Sequence, residues 1–554
     1  MLPLLANSLW GLLSLPASLA FQRALGRVAG TQQRYLFDLL RRNAATEFGR
    51  RYGFAAIRSI ADYQARLPLS TYDDYRPAID RLAHGQPGVL TQEAVLLLEQ
   101  TSGSTAATKY IPYTASLKAE FQVALAPWLT DLFCHDPRLL AGQAYWSVSP
   151  VARRNERTPG GIPLGFEEDS EYFGPLLRPL VQAVQAVPPH VRLIDDMATF
   201  RYVTLLFLLR SRGLTLISVW NPTFLTLLVK PLAAWWPQLA SDIAHGVLSL
   251  PTPLPPDLQA GLAALNFPHP RRAAEIRSIC QSQADPGAIH RQLWPRLRLI
   301  SCWTEAQAGL YALELTRLFP QARLQGKGLL ATEGVVSVPL VGQPGAALAV
   351  RSHFFEFLPA DTPPDRPLLA HQLSQGEVYE VLLTTGGGLY RYQLHDLVEV
   401  VGHLRECPLL RFVGKAAHIS DHFGEKLNER HVRQVLAALL NRHGCRPTLA
   451  MVAAEIDLTP PGYLLFIEAP ATLDEVLHQL GVELDIALQE NFHYRYARDL
   501  GQLAAVRVFR IDHGALEAYL AACQAHGQRA GDIKPLALHR QTGWRRAFEG
   551  RLLV

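Results

Sequence analysis

The order of apolar and polar positions over the first 320 residues predicts helices that alternate with short strands. Residues 31–66 have helical spacing, with apolar positions at Leu36, Leu39 and Leu40. The compact apolar runs have the length of buried strands, and they cover residues 94–99, 214–219 and 298–302. Further helices are predicted from residue 115 onward, with Thr114 as N-cap, and over 199–212, 223–230 and 305–319. This alternation predicts an α/β architecture.

A second pattern begins at residue 378. Strands are predicted over 378–384 and 389–394, and Gly386–Gly388 would join them as a hairpin. After another strand at 410–413, the pattern changes to helices at 429–441, 473–480 and 486–490 and strands at 448–456, 463–468 and 506–511. We therefore predict a large N-terminal α/β domain over residues 1–418 and a small α+β C-terminal domain over residues 419–554.

Composition and charge narrow the class of protein. The 554 residues are 49% apolar and 18% charged, which is typical of a globular chain with more than one domain. The net charge is +4 without long basic runs, so the charge does not call for nucleic acid or an anionic membrane as partner. The six cysteines are far apart and indicate neither a zinc site nor a disulfide framework. Reduced thiols of a cytoplasmic protein are the simplest interpretation.

Residues 1–20 form an apolar segment that needs its own interpretation. A signal peptide would carry positive charge before its apolar stretch, and this segment contains neither Lys nor Arg. Pro3, Asn7 and Pro16 interrupt a membrane-spanning helix. We expect a first helix that either packs on the body of the protein or contacts a membrane surface.

The segment 100–109 is rich in small hydroxylated residues, follows a predicted strand and ends in Lys109. Such a loop can turn backbone N–H groups and hydroxyls toward phosphate oxygens, and the lysine adds a positive charge. It is not a Walker A loop, because Tyr110 follows the lysine and Pro112 prevents a helix there. Taken alone, the segment fits a phosphate loop and a solvated Ser/Thr turn equally well.

The segment 101–109 and the residues 111–114 after it resemble the phosphate loop of the acyl-adenylate-forming superfamily. Other segments resemble, in the same order, the Gretchen Hagen auxin-responsive acyl acid–amido synthetases of that superfamily: 43–54, 68–85, 160–165, 330–334, 390–396 and 412–429. The resemblance implies a fold of adenylate-forming type. It also implies a ligase that adenylates a small carboxylic acid with ATP and Mg²⁺ and transfers the acyl group to an amine, an amino acid, as an amide.

The resemblance also assigns roles to single residues. Glu333 would be the Mg²⁺ ligand. The same sequence is also compatible with a Thr-Glu pair at a helix N-terminus, where the helix dipole favours a carboxylate. ATP contacts are implied for Thr101, Ser102, Gly103, Ser104, Thr105, Thr332, Asp396 and Lys415. Catalytic lysines are implied at Lys109, Lys426 and Lys534, and the acyl pocket is expected near Tyr145, Trp220 and Asn221. A hinge across which the small domain rotates would lie within 414–426.

Three departures from the family pattern keep other functions open. Ala106 and His395 stand where relatives usually carry glycine, and Ala416–Ala417 replace polar residues. A ligase that forms a coenzyme A thioester fits the same motifs. So does a degenerate protein that binds nucleotide or membrane without catalysis.

Overall fold

The computed structural model describes residues 2–101, 109–146, 156–165, 174–282, 284–306, 308–360, 367–416, 419–420, 422, 425–526, 528 and 533–553. The chain divides into two compact units. The first unit contains Met1–Thr304, Ala312–Leu394 and Val398–Phe412. The second unit contains Glu305–Tyr311, His395–Leu397 and Val413–Val554. The domain boundary between residues 418 and 419 stays a prediction.

The helices up to residue 318 are α1 (Leu2–Ala24), α2 (Val28–Arg42), α3 (Glu47–Arg51), α4 (Ile60–Arg66), α5 (Tyr72–Ala83), α6 (Ala115–His135), α7 (Gly174–Val184), α8 (Met197–Arg210), α9 (Pro222–Val229), α10 (Leu232–His245), α11 (Pro256–Leu265), α12 (Pro270–Ser282), α13 (Pro286–Leu293) and α14 (Ala308–Leu318). The strands up to residue 415 are β1 (Leu97–Thr101), β2 (Lys109–Tyr113), β3 (Gln143–Trp146), β4 (Leu214–Ser218), β5 (Leu299–Cys302), β6 (Arg323–Gly326), β7 (Leu330–Ala331), β8 (Gly334–Val335), β9 (Ser337–Pro339), β10 (Ala346–Leu348), β11 (Phe354–Pro359), β12 (Leu368–Leu369), β13 (Val378–Thr384), β14 (Tyr392–Leu404) and β15 (Cys407–Lys415).

Two larger sheets organise these strands. The strands β3, β4, β5 and β6 form a four-stranded sheet in that order, and every neighbouring pair is parallel. A seven-stranded sheet has the order β12-β11-β13-β14-β15-β10-β9. Small antiparallel ladders join β1 with β2 and β7 with β8. The carboxyl ends of the parallel strands therefore meet at one edge, which is where α/β proteins place ligands.

The second unit contains one mixed sheet covered on both faces. Its elements are β16 (Ile419–Ser420), β17 (Leu427–Asn428), α15 (Glu429–Arg442), β18 (Leu449–Glu455), β19 (Gly462–Glu468), α16 (Asp474–Leu488), α17 (Phe492–Asp499), β20 (Ala504–Ile511), α18 (Ala515–Ala525), β21 (Leu538–His539) and β22 (Gly550–Leu552). The sheet order is β21-β18-β19-β20-β22. Alternate residues of β18, such as Met451 and Val452, enter two different apolar cores.

Several predicted elements needed correction. The helical pattern over 31–66 is divided into α2, α3 and α4, because Thr46 and Ser59 cap new helices and Gly53 turns the chain at φ +64°. The predicted break between residues 480 and 486 is also wrong, since α16 is continuous. Gly481 is needed there for close packing: a Cβ on it would lie 2.5 Å from a methyl group of Val508 in β20.

The predicted hairpin after residue 378 has a longer connection than expected. Its second strand starts at Tyr392 instead of residue 389 and continues to Leu404 instead of residue 394, so Asp396 lies inside β14. Arg391 explains the late start. It has φ +49° and its guanidinium Nε donates to the buried Glu356 at 3.1 Å, so the chain turns before the strand can begin.

Candidate active site

The hairpin of β1 and β2 carries the ends of the phosphate-loop candidate. Its antiparallel register places Thr101 directly opposite Lys109. The predicted contacts Ser102, Gly103, Ser104 and Thr105 lie outside the described residues, and so does Ala106. The ladder therefore fixes the two ends of the loop side by side.

Lys109 is the first residue of β2, and α5 supports it. Its ammonium lies 5.5 Å from the ring centre of Tyr72, a cation–π contact. The Tyr72 hydroxyl accepts a hydrogen bond from the backbone N–H of Tyr110 at 2.8 Å. Burial raises the pKa of Tyr72, so this hydroxyl stays neutral around pH 7. Lys109 is thus held against an aromatic ring that carries no negative charge.

Thr332 and Glu333 form the turn between β7 and β8. The alternative of a helix N-terminus is therefore excluded for this pair. The Tyr113 hydroxyl at the end of β2 donates to the Thr332 carbonyl at 2.7 Å, and the Tyr392 hydroxyl donates to Glu333 Oε1 at 3.2 Å. These two bonds connect the phosphate-loop hairpin, the Glu333 turn and the start of β14.

A network of hydrogen bonds around a buried carboxylate supports the Thr332–Glu333 turn. Glu120 of α6 accepts hydrogen bonds from the Tyr35 hydroxyl at 2.6 Å, from His353 Nδ1 at 3.0 Å and from the Gly386 N–H at 3.0 Å. The other ring nitrogen of His353 accepts from the Val335 N–H at 3.0 Å, which fixes the proton on Nδ1. Sequence analysis missed this network, because its members lie far apart along the chain.

The described residues contain no group of three or more His, Cys, Asp or Glu side chains that could hold a metal ion. A Mg²⁺ ion bound together with a nucleotide needs less, since one or two carboxylates and the phosphates complete its shell. Glu333 is 8% exposed, and its carboxylate supplies the oxygen ligands that Mg²⁺ prefers. Its chemistry therefore fits a single protein ligand to such an ion.

Asp396 and Lys415 lie on neighbouring strands, β14 and β15. The Lys415 ammonium is 3.3 Å from Asp396 Oδ1, and the carboxylate is buried. His395 has φ +60°, a conformation that favours glycine, and its carbonyl accepts from the Ala416 N–H at 2.8 Å. The chain thus keeps a glycine-like backbone at this point although it carries a histidine.

The other two lysines expected to be catalytic are exposed in the second unit. Lys426 has φ +43°, and its carbonyl accepts from the side chain of Asn491 at 3.2 Å. The carbonyl of Lys534 accepts from the Tyr519 hydroxyl at 3.0 Å. These contacts position the backbone at both lysines, and the catalytic roles of their side chains stay predictions.

The expected acyl-pocket residues lie at or near the carboxyl edge of the parallel sheet. Tyr145 is the buried penultimate residue of β3. Asn221 is buried just after β4, where its side chain caps α9 by accepting from the Thr223 N–H at 3.0 Å. Trp220 precedes it, 5.8 Å from the ring of Trp303. Asn221 therefore has a structural role that by itself explains the residue.

Lys327 is a further candidate at this edge that sequence analysis did not single out. It directly follows β6, and its ammonium lies 2.6 Å from Ser218 Oγ. The same ammonium is 4.9 Å from the ring centre of Trp220 and 5.9 Å from that of Trp128. The available signal was a rare lysine directly after a short strand that ends in Gly326. One positive charge among tryptophan rings suits a negatively charged, partly apolar ligand.

Comparisons with known proteins place the chain in a family. The GH3 family N-terminal domain matches residues 19–324, the GH3 family central domain matches residues 346–415, and the GH3 family C-terminal domain matches residues 430–542. The probable indole-3-acetic acid-amido synthetase GH3.12 of Oryza sativa subsp. japonica is 25% identical over 93% of this chain and 92% of its own. The indole-3-acetic acid-amido synthetase GH3.3 of Arabidopsis thaliana is 23% identical over 84% of this chain and 82% of its own.

Solved structures agree on the fold. The GH3.15 acyl acid amido synthetase has a TM-score of 0.80 at 20% identity and covers 96% of this chain and 94% of its own. The structure of AtGH3.15 acyl acid amido synthetase in complex with 2,4-DB has a TM-score of 0.82 at 21% identity and covers 94% of this chain and 93% of its own. The predicted adenylate-forming fold and the predicted class of amide-forming ligase are confirmed. With matches to all three of its domains over most of the sequence, the chain belongs to the GH3 family.

Proposed function

We propose that this protein is an acyl acid–amido synthetase that uses ATP to adenylate a small carboxylic acid and then transfers the acyl group to an amino acid. The observation that carries the proposal is the pair of tyrosine hydrogen bonds at the Glu333 turn. Through Tyr113 and Tyr392 they connect the Thr101–Lys109 hairpin with the turn that contains Thr332 and Glu333. A lysine and a carboxylate on one hydrogen-bonded scaffold suit the binding of phosphates together with a divalent cation.

In the first half-reaction, an oxygen of the substrate carboxylate attacks the α-phosphorus of ATP. The bond between the α-phosphorus and the bridging oxygen breaks, and pyrophosphate leaves. Lys109 stabilises negative charge that develops on the phosphates, and Glu333 would hold Mg²⁺. When bound, Mg²⁺ neutralises phosphate charge. Thr332 completes this set as a hydrogen-bonding partner of the phosphate or of the acyl-adenylate.

In the second unit, Asp396 is proposed to accept hydrogen bonds from the ribose hydroxyls. Lys415, 3.3 Å from it, pairs with the carboxylate and orients it for that purpose. Lys426 and Lys534 are proposed as further phosphate and carboxylate contacts. The proposed large domain comprises residues 1–418 and the proposed small domain residues 419–554.

In the second half-reaction, the amine nitrogen attacks the acyl carbon, loses a proton, and the bond from that carbon to the AMP oxygen breaks. An amine acceptor is favoured over coenzyme A because the relatives are named amido synthetases. No covalent acyl-enzyme at Cys302 is needed, and burial raises the pKa of that thiol to about 12, so it is not a nucleophile near pH 7.

The acid is proposed to bind at the carboxyl edge of the parallel sheet. Trp220 supplies an apolar face there, the buried Tyr145 lies near the end of the neighbouring strand β3, and Lys327 supplies positive charge. The relatives are named for indole-3-acetic acid, and one solved structure holds 2,4-DB. A carboxylic acid with an apolar ring or chain is therefore the proposed substrate class.

A panel of such acids, scored by ATP-to-AMP conversion, tests the proposal. We expect conversion that depends on acid and Mg²⁺, with an amide in the product when amino acids are supplied. Lys109→Met and Glu333→Gln should each lower kcat/KM for ATP by about 100-fold, which corresponds to about 2.7 kcal/mol. Lys230→Met is the matched control, since this lysine lies at the end of α9, outside the proposed site, and is exposed.

Two results would contradict the proposal. The first is a thioester in place of an amide when coenzyme A and amino acids compete, which would make the protein an acyl-CoA ligase. The second is no AMP with any acid, together with equal nucleotide binding by wild type, Lys109→Met and Glu333→Gln. That result would leave a protein that binds nucleotide without catalysis.

A further inference from the structure

Helix α1 exposes its leucines, while its buried side combines Trp10 and Phe21 with small and polar side chains. Eight leucines form one exposed surface, here named the leucine face: Leu2, Leu4, Leu5, Leu9, Leu12, Leu13, Leu15 and Leu19. Their exposed fractions run from 39% to 67%. Surface helices of globular proteins normally show the reverse arrangement, with the apolar stripe toward the core. The leucine face therefore needs an explanation.

The opposite side of α1 is fixed to the first unit. The Asn7 amide donates to the carbonyls of Leu140 and Gly142, both at 3.0 Å, and it is buried. The Trp10 ring lies 6.1 Å from the ring of Trp146 and is also buried. Rotating the helix to bury its leucines would break both hydrogen bonds of the Asn7 amide and expose Trp10 to solvent. The outward direction of the leucines is thus set by the contacts of the other side.

The size of the leucine face is unusual for a surface in contact with water. Eight half-exposed leucines on one side of a helix present several hundred Å² of contiguous apolar surface, at the upper end of what a typical monomer shows. Patches of that size mark binding sites for proteins or membranes.

We propose that the leucine face seats this protein on a lipid bilayer that contains anionic lipids, with α1 lying in the plane of the membrane interface. Charge is the first reason. Arg23 is the only charged residue of α1, and helical spacing places it on the side of Leu5, Leu12 and Leu19. It is exposed, so it can reach lipid phosphates while the leucines enter the acyl region.

Residue type is the second reason to prefer lipid to another protein chain. Binding energy in protein interfaces is concentrated in Trp, Tyr and Arg, and leucine is under-represented there. Trp10 of α1 is buried within the protein, so the leucine face offers no aromatic anchor. Lipid chains need no matching shape and accept a uniform row of leucines.

A membrane-spanning arrangement fits less well, although α1 is long and apolar enough to cross a bilayer by length and composition. A single helix that spans a membrane is surrounded by lipid. One side of α1 instead packs on the first unit through Asn7 and Trp10. The helix therefore lies on the membrane in this proposal, without crossing it.

Flotation of the full-length protein with vesicles tests the proposal. Vesicles of pure phosphatidylcholine are compared with vesicles that contain one quarter phosphatidylglycerol. The test variant is Leu5→Ser/Leu12→Ser/Leu19→Ser. Its matched control is Leu265→Ser/Leu313→Ser/Leu473→Ser, with three exposed leucines from other parts of the fold; the exposed fractions are 67%, 63% and 47% in the test set and 43%, 69% and 70% in the control set.

We expect the wild type and the control to float with anionic vesicles, and the test variant to lose binding by about tenfold or more. Arg23→Gln should weaken binding to anionic vesicles and leave binding to neutral vesicles unchanged. Because the substituted side chains are exposed, thermal midpoints and ATP-to-AMP conversion with a water-soluble acid should equal those of the wild type. The single variant Leu12→Ser, with a smaller loss, serves if the triple variant unfolds.

Three results would overturn the proposal. The first is a wild type that does not float with either type of vesicle, and the second is a test variant that floats like the wild type. The third is a wild type that is dimeric and a test variant that is monomeric in light scattering, while neither binds vesicles. The last result would assign the leucine face to a second copy of this chain. A wild type without adenylating activity that still floats would leave the membrane proposal intact, so the two proposals can fail separately.

Discussion

Replacing Glu120 by alanine tests whether the buried network behind the Glu333 turn positions the active site. The carboxylate accepts from Tyr35, His353 and Gly386, and it is 7% exposed. Burial and the negative charge of Glu120 raise the pKa of Tyr35, so its hydroxyl remains the donor. Alanine would leave three donors without their acceptor: the buried His353 ring and Gly386 N–H, and the partly buried Tyr35 hydroxyl.

The expected magnitude follows from those three donors. A buried donor without an acceptor costs about 1–3 kcal/mol, and water that enters the vacated space recovers part of this. Glu120→Ala should thus lower the free energy of unfolding by about 4 kcal/mol, measured by urea denaturation. Glu120→Gln is the matched control: its oxygen still accepts from His353 and Gly386, and its amide can donate to Tyr35, so we expect about 1–2 kcal/mol.

Catalytic activity should also fall more in Glu120→Ala than in Glu120→Gln. His353 links Glu120 to the Val335 N–H, two residues after Glu333, so the turn loses its support in Glu120→Ala. We expect pyrophosphate exchange into ATP to fall by about tenfold or more in Glu120→Ala and by less than threefold in Glu120→Gln. Equal losses of stability in the two variants would refute the hydrogen-bond argument. An unchanged exchange rate in a destabilised Glu120→Ala would refute the positioning role.

Three further predictions concern single side chains. Lys327→Met should raise KM for the acid by about tenfold while kcat changes little, because it removes the positive charge near Trp220 and keeps the stem; steady-state kinetics with varied acid checks this. Lys415→Met should raise KM for ATP severalfold, because the cation 3.3 Å from Asp396 is lost. Lys415→Arg keeps a cation there, so its KM for ATP should be close to that of the wild type. A change in KM for the acid alone would contradict this role. Burial raises the pKa of Cys302 to about 12, so its thiol stays protonated, and iodoacetamide at pH 8 should label the exposed Cys134 and spare Cys302, as peptide mass mapping would show.

The sequence by itself predicted the class of fold and the order of the site elements. Hydroxyl-rich letters before Lys109, the pair Thr332–Glu333 and the segment up to Asp396 are local patterns, so their presence and order can be seen without a structure. The same holds for Thr114, whose capping of α6 was predicted and is present. Local signals of this kind depend on neighbours a few residues away, which the sequence displays directly.

Predictions failed where distant residues decide local structure. The start of β14 at Tyr392 depends on Arg391 reaching Glu356, 35 positions earlier in the chain. The continuity of α16 through Gly481 depends on contact with Val508 of β20. Neither partner could be identified from the pattern around the residue itself, because side-chain packing overrides local propensity.

The apolar sequence of residues 1–20 predicted a helix. It did not determine whether that helix packs on the body of the protein or contacts a membrane surface. Tertiary structure decided which side of α1 meets the protein, because the Asn7 amide finds two carbonyl acceptors around residue 141 and so fixes the rotation of the helix. It likewise brought Lys327 to Ser218 and Trp220, residues more than 100 positions away. A sequence records which side chains are available, and only the packed chain determines which distant groups satisfy their charges and hydrogen bonds.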